Sequence, residues 1–204
     1  MCSSDLLTTA LVGAYGADAI AGYGLASRLD YLLIPLLFAL GTATVTMVGT
    51  AVGALAAARA KRVAWTGALI STLATGAIGL AAALLPQAWM HLFSTEAAVV
   101  EVGSAYLTRV APFYALFGAG MALYFASQGA GRMAWPFAAG LVRLLALLFV
   151  GGYWINSLYG SLDGLYWIVG ASYFLFGAIN VFAMASGLGW GEQRAPRAGL
   201  AAAR

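Results

Sequence analysis

Charged residues are so sparse in this chain that the stretches between them decide what it can fold into. Only 8% of the 204 residues are charged, against roughly 25% in soluble domains. Five stretches, at about residues 25–55, 63–85, 105–128, 133–155 and 163–187, stay apolar over the about 20 residues a helix needs to cross the hydrocarbon core. With 63% hydrophobic residues and a mean hydropathy of +0.89, a water-soluble fold would have to present an apolar exterior to water. In lipid that exterior is the solvated one, and the helix satisfies its own backbone. The expected fold class is therefore all-α and integral to the lipid bilayer. A membrane domain at 1–188 and a tail at 189–204 are expected. A sixth segment, at about 1–13, is too short to cross and reads as the outer end of a helix whose beginning is missing, with an interfacial stub as the alternative.

The connecting residues orient the bundle. Arg59, Lys61 and Arg62 follow the first long stretch, Arg132 follows the third, and Arg194, Arg197 and Arg204 follow the last, whereas the alternate connections hold His91, Glu96, Glu101 and Asp163. Seven of the ten Lys and Arg residues thus gather on one side, which the positive-inside rule assigns to the cytoplasm together with the C-terminus. Trp65, Trp89, Trp135, Trp154, Trp167 and Trp190 lie near stretch ends, where indole rings anchor at the interface. A cell membrane is the expected location, the inner one if the source is Gram-negative.

Several function classes fall away. The formal charge of +3 comes from scattered residues and forms no phosphate-tracking surface, so no nucleic acid is expected. One cysteine, Cys2, and one histidine, His91, leave no disulfide framework or multi-cysteine metal site. H-E-x-x-H, G-x-S-x-G and P-loop patterns are missing, so no enzyme and no bound cofactor is expected.

Polar groups inside the stretches are functional candidates, because each costs a few kcal/mol at mid-bilayer. Arg143 lies nine residues into its stretch, roughly 13 Å along the axis, and should face the bundle interior. Arg28, Asp30 and Arg109 lie near the outer ends of their stretches. Arg28 and Asp30 are two apart and face different ways on a helix, so Asp30 is expected to pair with Arg109. Tyr114, Phe117, Met121, Tyr124 and Gln128 recur at helical spacing on one face. That face suits either a helix–helix seam or a pocket, since aromatic faces attract organic cations and methionine adapts to varied shapes. The Gly49–Gly53 step is expected to pack closely against a neighbouring helix.

At this point the chain resembles a known family. The run Ala19-Ile-Ala-Gly-Tyr-Gly-Leu-Ala-Ser-Arg28-Leu-Asp-Tyr-Leu-Leu-Ile-Pro35 is similar to the opening of the second helix of a lobe in the multidrug and toxic compound extrusion (MATE) family. Gly41 to Val48-Gly49, closing on Val52-Gly53-Ala54 before a basic loop, resembles the continuation of that helix. Tyr106-Leu-Thr-Arg-Val-Ala-Pro112-Phe-Tyr, with Gly118 to Gln128, Arg132 and Pro136, looks like the family's tenth helix and following loop. The likeness covers about residues 6–188.

It implies a twelve-helix transporter of two six-helix lobes, with this chain as the C-terminal lobe and its first helix cut short. Members export organic cations by alternating access, coupled to sodium ions or protons. The partner would be an N-terminal lobe, or a second copy of the chain, and the lobe alone would be inactive. The third long stretch has no carboxylate between Glu101 and Asp163, so the acidic group that some members carry in the tenth helix is missing. Export of polysaccharides or lipid-linked saccharides within the wider superfamily, and a non-transporting membrane scaffold, stand as alternatives.

Overall fold

The computed structural model describes residues 2–154 and 160–190. The tail expected from residue 189 onward, with Arg194, Arg197 and Arg204, lies outside the described residues beyond Trp190. The elements are α1 (Cys2–Gly13), α2 (Ala17–Ala26), α3 (Arg28–Gly53), α4 (Ala57–Leu84), the short α5 (Pro86–Met90), α6 (Ala97–Val110), α7 (Tyr114–Gly129), α8 (Ala134–Ala146) and α9 (Leu162–Ala185). No strand occurs among the described residues. Among the described residues five helical runs are long and apolar enough to cross a membrane: Ala17–Gly53, Ala57–Leu84, Ala97–Gly129, Ala134–Trp154 and Leu162–Ala185.

The runs start earlier than the charge pattern predicts. The first begins at residue 17 rather than 25, the second at 57 rather than 63, and the third at 97 rather than 105. The reason is chemical. A Lys or Arg ends the part of a helix that tolerates hydrocarbon, but both residues are good helix formers, so α4 continues past Arg59, Lys61 and Arg62. Glu101 likewise sits inside α6.

Besides the break at Ser27 between α2 and α3, three irregularities mark the spans. Pro35 lies inside α3, and its missing N–H releases the carbonyl one turn earlier, at Tyr31. Pro112 sits in a 3₁₀ turn, Ala111–Phe113, between α6 and α7. After α8 the chain makes a π-helical turn, Leu147–Gly151, of the kind that often marks functional helices. Backbone irregularity at membrane depth persists where protein or a polar cavity covers it. All three lie close in sequence to the polar residues described below.

α7 is the central helix and packs against α3, α4 and α9. Its small residues let backbones meet: a Cβ on Gly120 would lie 2.7 Å from Gly177 Cα of α9, and one on Gly129 would lie 2.6 Å from the Val45 carbonyl oxygen of α3. The expected Gly49–Gly53 step does not make such a seam. A Cβ on Gly49 would meet the Gly129 oxygen at an ordinary 3.5 Å, and one on Gly53 would meet nothing within 4 Å. Close approach to α7 occurs instead at Gly41, which faces the Phe125 ring.

The core divides into two clusters. Near the basic end, Val48, Ala51, Ala60, Ala64, Ala68, Ala122, Leu123, Ala126 and Met184 form a seam built mainly of alanine. Further along the bundle, the larger cluster gathers Tyr23, Tyr106, Tyr114, Phe117, Phe125, Tyr166, Tyr173 and Phe176. The polar site lies in this aromatic part.

Candidate functional site

Asp30 lies in the first turn of α3, and three phenols from three other segments converge on it. The Tyr106 hydroxyl of α6 donates to Oδ2 at 2.5 Å, and the Tyr173 hydroxyl of α9 donates to the same oxygen at 3.3 Å. The Tyr114 hydroxyl, at the start of α7, donates to Oδ1. Tyr106 and Tyr114 are fully buried and Tyr173 nearly so. An ionised carboxylate only accepts hydrogen bonds, so three phenol donors match its charged form, and charge-assisted bonds of this length are strong. One side chain thereby ties α3 to α6, α7 and α9.

The helix irregularities aim these groups. The Pro112 turn redirects the chain immediately before Tyr114, and Thr75 of α4 donates its hydroxyl to the Tyr114 carbonyl at 2.9 Å, satisfying an acceptor beside the turn. Asp30, Tyr31, Leu33, Ile34, Tyr114, Phe117 and Tyr173 line a small cleft beside the carboxylate.

Behind the phenols lies Arg143 of α8. It is 7% exposed, which places it in the bundle interior. Its guanidinium carbon sits 4.5 Å from the Tyr173 ring centre and 5.4 Å from that of Phe117. Those two rings are stacked at 4.7 Å. Its Nε has no hydrogen-bond partner among the described residues. The charge therefore lies against ring quadrupoles, with the Nε donor left unspent.

The expected Asp30–Arg109 pair does not form the anchor. Arg109 reaches the first turn of α9 instead, where its Nη2 bonds Asp163 at 2.5 Å. It sits three residues beyond Tyr106 on the same face of α6, but its guanidinium is engaged by Asp163. Arg28 lies over the Phe93 ring at 5.1 Å. Three phenols hold Asp30.

The α7 stripe divides along its length. Tyr114 and Phe117 join the Asp30 and Arg143 cluster. Met121 is buried in the aromatic core, Tyr124 is half-buried with its ring edge-on to Phe125 at 5.5 Å, and Gln128 is exposed. Residues of one helical face need not share one pocket, because the stripe runs about 21 Å along the axis at 1.5 Å per residue. Tyr106 and Tyr173 complete the site without having stood out in the sequence.

Helices long and apolar enough to cross a membrane thus surround a half-buried carboxylate, with a guanidinium laid on aromatic rings behind its phenols. The chain belongs to the MatE family of transporters, whose model matches residues 1–154. Comparison with curated proteins gives no match.

Proposed function

We propose that this chain forms the C-terminal lobe of a secondary active exporter in the cell membrane. It would move organic cations outward by alternating access in exchange for sodium ions or protons, and so contribute to xenobiotic efflux and multidrug resistance. The N-terminal lobe, or a second copy of the chain, supplies the opposite wall, and the C-terminus faces the cytoplasm. The observation that carries this reading is the pairing of Asp30 with the Phe117–Tyr173 shelf. The shelf already carries a guanidinium at 4.5 Å, so its rings have the geometry to take another organic cation. The carboxylate beside it offers a charge that a coupling cation can neutralise. The basic ends of α4 and the α7–α8 connection, at Arg59, Lys61, Arg62 and Arg132, support the orientation.

Fluorescent-cation efflux from cells tests the reading. With the chain co-expressed with an N-terminal lobe, efflux rises over cells lacking the chain and collapses when both proton and sodium gradients are dissipated. Equal efflux with and without a well-folded chain contradicts it and favours a scaffold. Arg143, with its Nε donor unspent, favours the second reading, a saccharide-phosphate cargo; gradient-driven uptake of such an anion into inverted vesicles, with no cation efflux, would establish it.

A further inference from the structure

The tyrosine cage bears on which ion Asp30 binds, a question that rests on the exporter reading but can be decided without transport. A hard metal cation needs several oxygens whose lone pairs converge on it at about 2.3–2.6 Å. Around Asp30 the oxygens are arranged otherwise. The Tyr106 oxygen stands 2.5 Å from Oδ2, the separation of an O–H···O⁻ bond, with no room for an ion between them. The adjoining cleft has a volume of about 10 Å³, close to the minimum of roughly 10–15 Å³ that holds one water. Among the described residues no group of three or more Asp, Glu, His or Cys side chains gathers there. A proton needs none of these things, since it binds one oxygen.

The charged and titratable neighbours are few. Beside the three phenols stand Tyr31 in α3, Tyr23 of α2 with its ring edge-on to Tyr106 at 5.2 Å, and Arg143 of α8 behind Tyr173. Arg28 lies on Phe93 and Arg109 on Asp163. In α4 the basic residues Arg59, Lys61 and Arg62 occupy the first two turns, at the opposite end of the bundle.

We propose that Asp30 is a proton site rather than a sodium site, and that its negative charge clamps α3 to α6, α7 and α9. The carboxylate takes one proton from water and goes from −1 to neutral, while the phenols keep their own protons. A neutral carboxyl accepts weaker hydrogen bonds than a carboxylate and itself donates one, so the clamp loosens. Tyr114 and Tyr173, which also line the cleft, are the side chains released.

Infrared difference spectroscopy on the full chain in lipid nanodiscs tests this. Acidification produces a protonated-carboxyl band that is absent from Asp30→Asn. In Tyr173→Phe the band persists but shifts in frequency, because a hydrogen-bonding neighbour has gone. Replacing potassium chloride by sodium chloride at constant pH leaves the band unchanged. Asp30→Asn, a neutral mimic, shows at every pH the unfolding temperature that the unmodified chain reaches only in acid. A band insensitive to both substitutions overturns the proton site. Loss of the band on adding sodium at fixed pH assigns the site to sodium and leaves the exporter reading standing. An unfolding temperature for Asp30→Asn equal to that of the unmodified chain at neutral pH overturns the clamp.

Discussion

The two halves of the bundle are held together by opposite means. At the basic end, α3, α4 and α7 meet through Ala51, Ala60, Ala64, Ala68, Ala122 and Ala126, where small side chains let backbones approach and dispersion contacts accumulate. In the other half, large rings fill the interior, and a single carboxylate is bonded to three phenols from three other helices. A small-residue seam has one good geometry. A cage of hydroxyls around a titratable group has two, because its strength depends on charge. The alanine seam suits a rigid base, and the tyrosine cage suits the part that must change.

That contrast makes graded predictions. The largest effect belongs to Asp30→Ala, which leaves three buried phenols without their acceptor. At about 1–3 kcal/mol per unsatisfied donor, destabilisation on the order of 3 kcal/mol or more is expected from unfolding in detergent, with loss of cation efflux. Next comes Ala64→Leu, at a fully buried seam position. Overpacking should cost about 1–3 kcal/mol, while efflux per folded molecule stays near that of the unmodified chain. A seam substitution that abolished efflux without unfolding the chain would erase the distinction between the halves.

A smaller effect is expected for Tyr173→Phe, whose hydroxyl makes the longer 3.3 Å bond. About 0.5–1.5 kcal/mol is expected, again from unfolding, with altered pH dependence of efflux. The smallest belongs to Arg109→Ala. Its pair with Asp163 is 25% and 52% exposed on its two side chains, and exposed pairs contribute about 0–1 kcal/mol. A large loss there would show that the α6–α9 contact depends on that pair more than on the cage.

The spans could be read from the sequence because apolar length is a local property. Their starting points could not, since charge reports where hydrocarbon ends and helix propensity reports where the helix ends; α4 carries Arg59, Lys61 and Arg62 across that difference. Arg143 and Asp30 stood out because an ionisable residue in an apolar run is visible without a structure. Tyr106 and Tyr173 did not, because a tyrosine in a membrane helix is ordinary until its hydroxyl finds a partner 76 or 143 residues away in the chain. The Asp30–Arg109 expectation misses for the same reason: opposite charge is visible in a sequence, whereas phenols from three segments supply the bonds to Asp30 and Arg109 goes to Asp163.

A double-mutant cycle on unfolding free energy, combining Asp30→Asn with Tyr106→Phe in bicelles, tests the cage most directly. Both single substitutions destabilise, and the double variant should recover a coupling of about 1 kcal/mol or more, within the range of about 0.5–3 kcal/mol seen for residues in contact. Strict additivity of the two losses would mean that the carboxylate and the phenol do not hold each other, and the account of how this bundle is joined would fail.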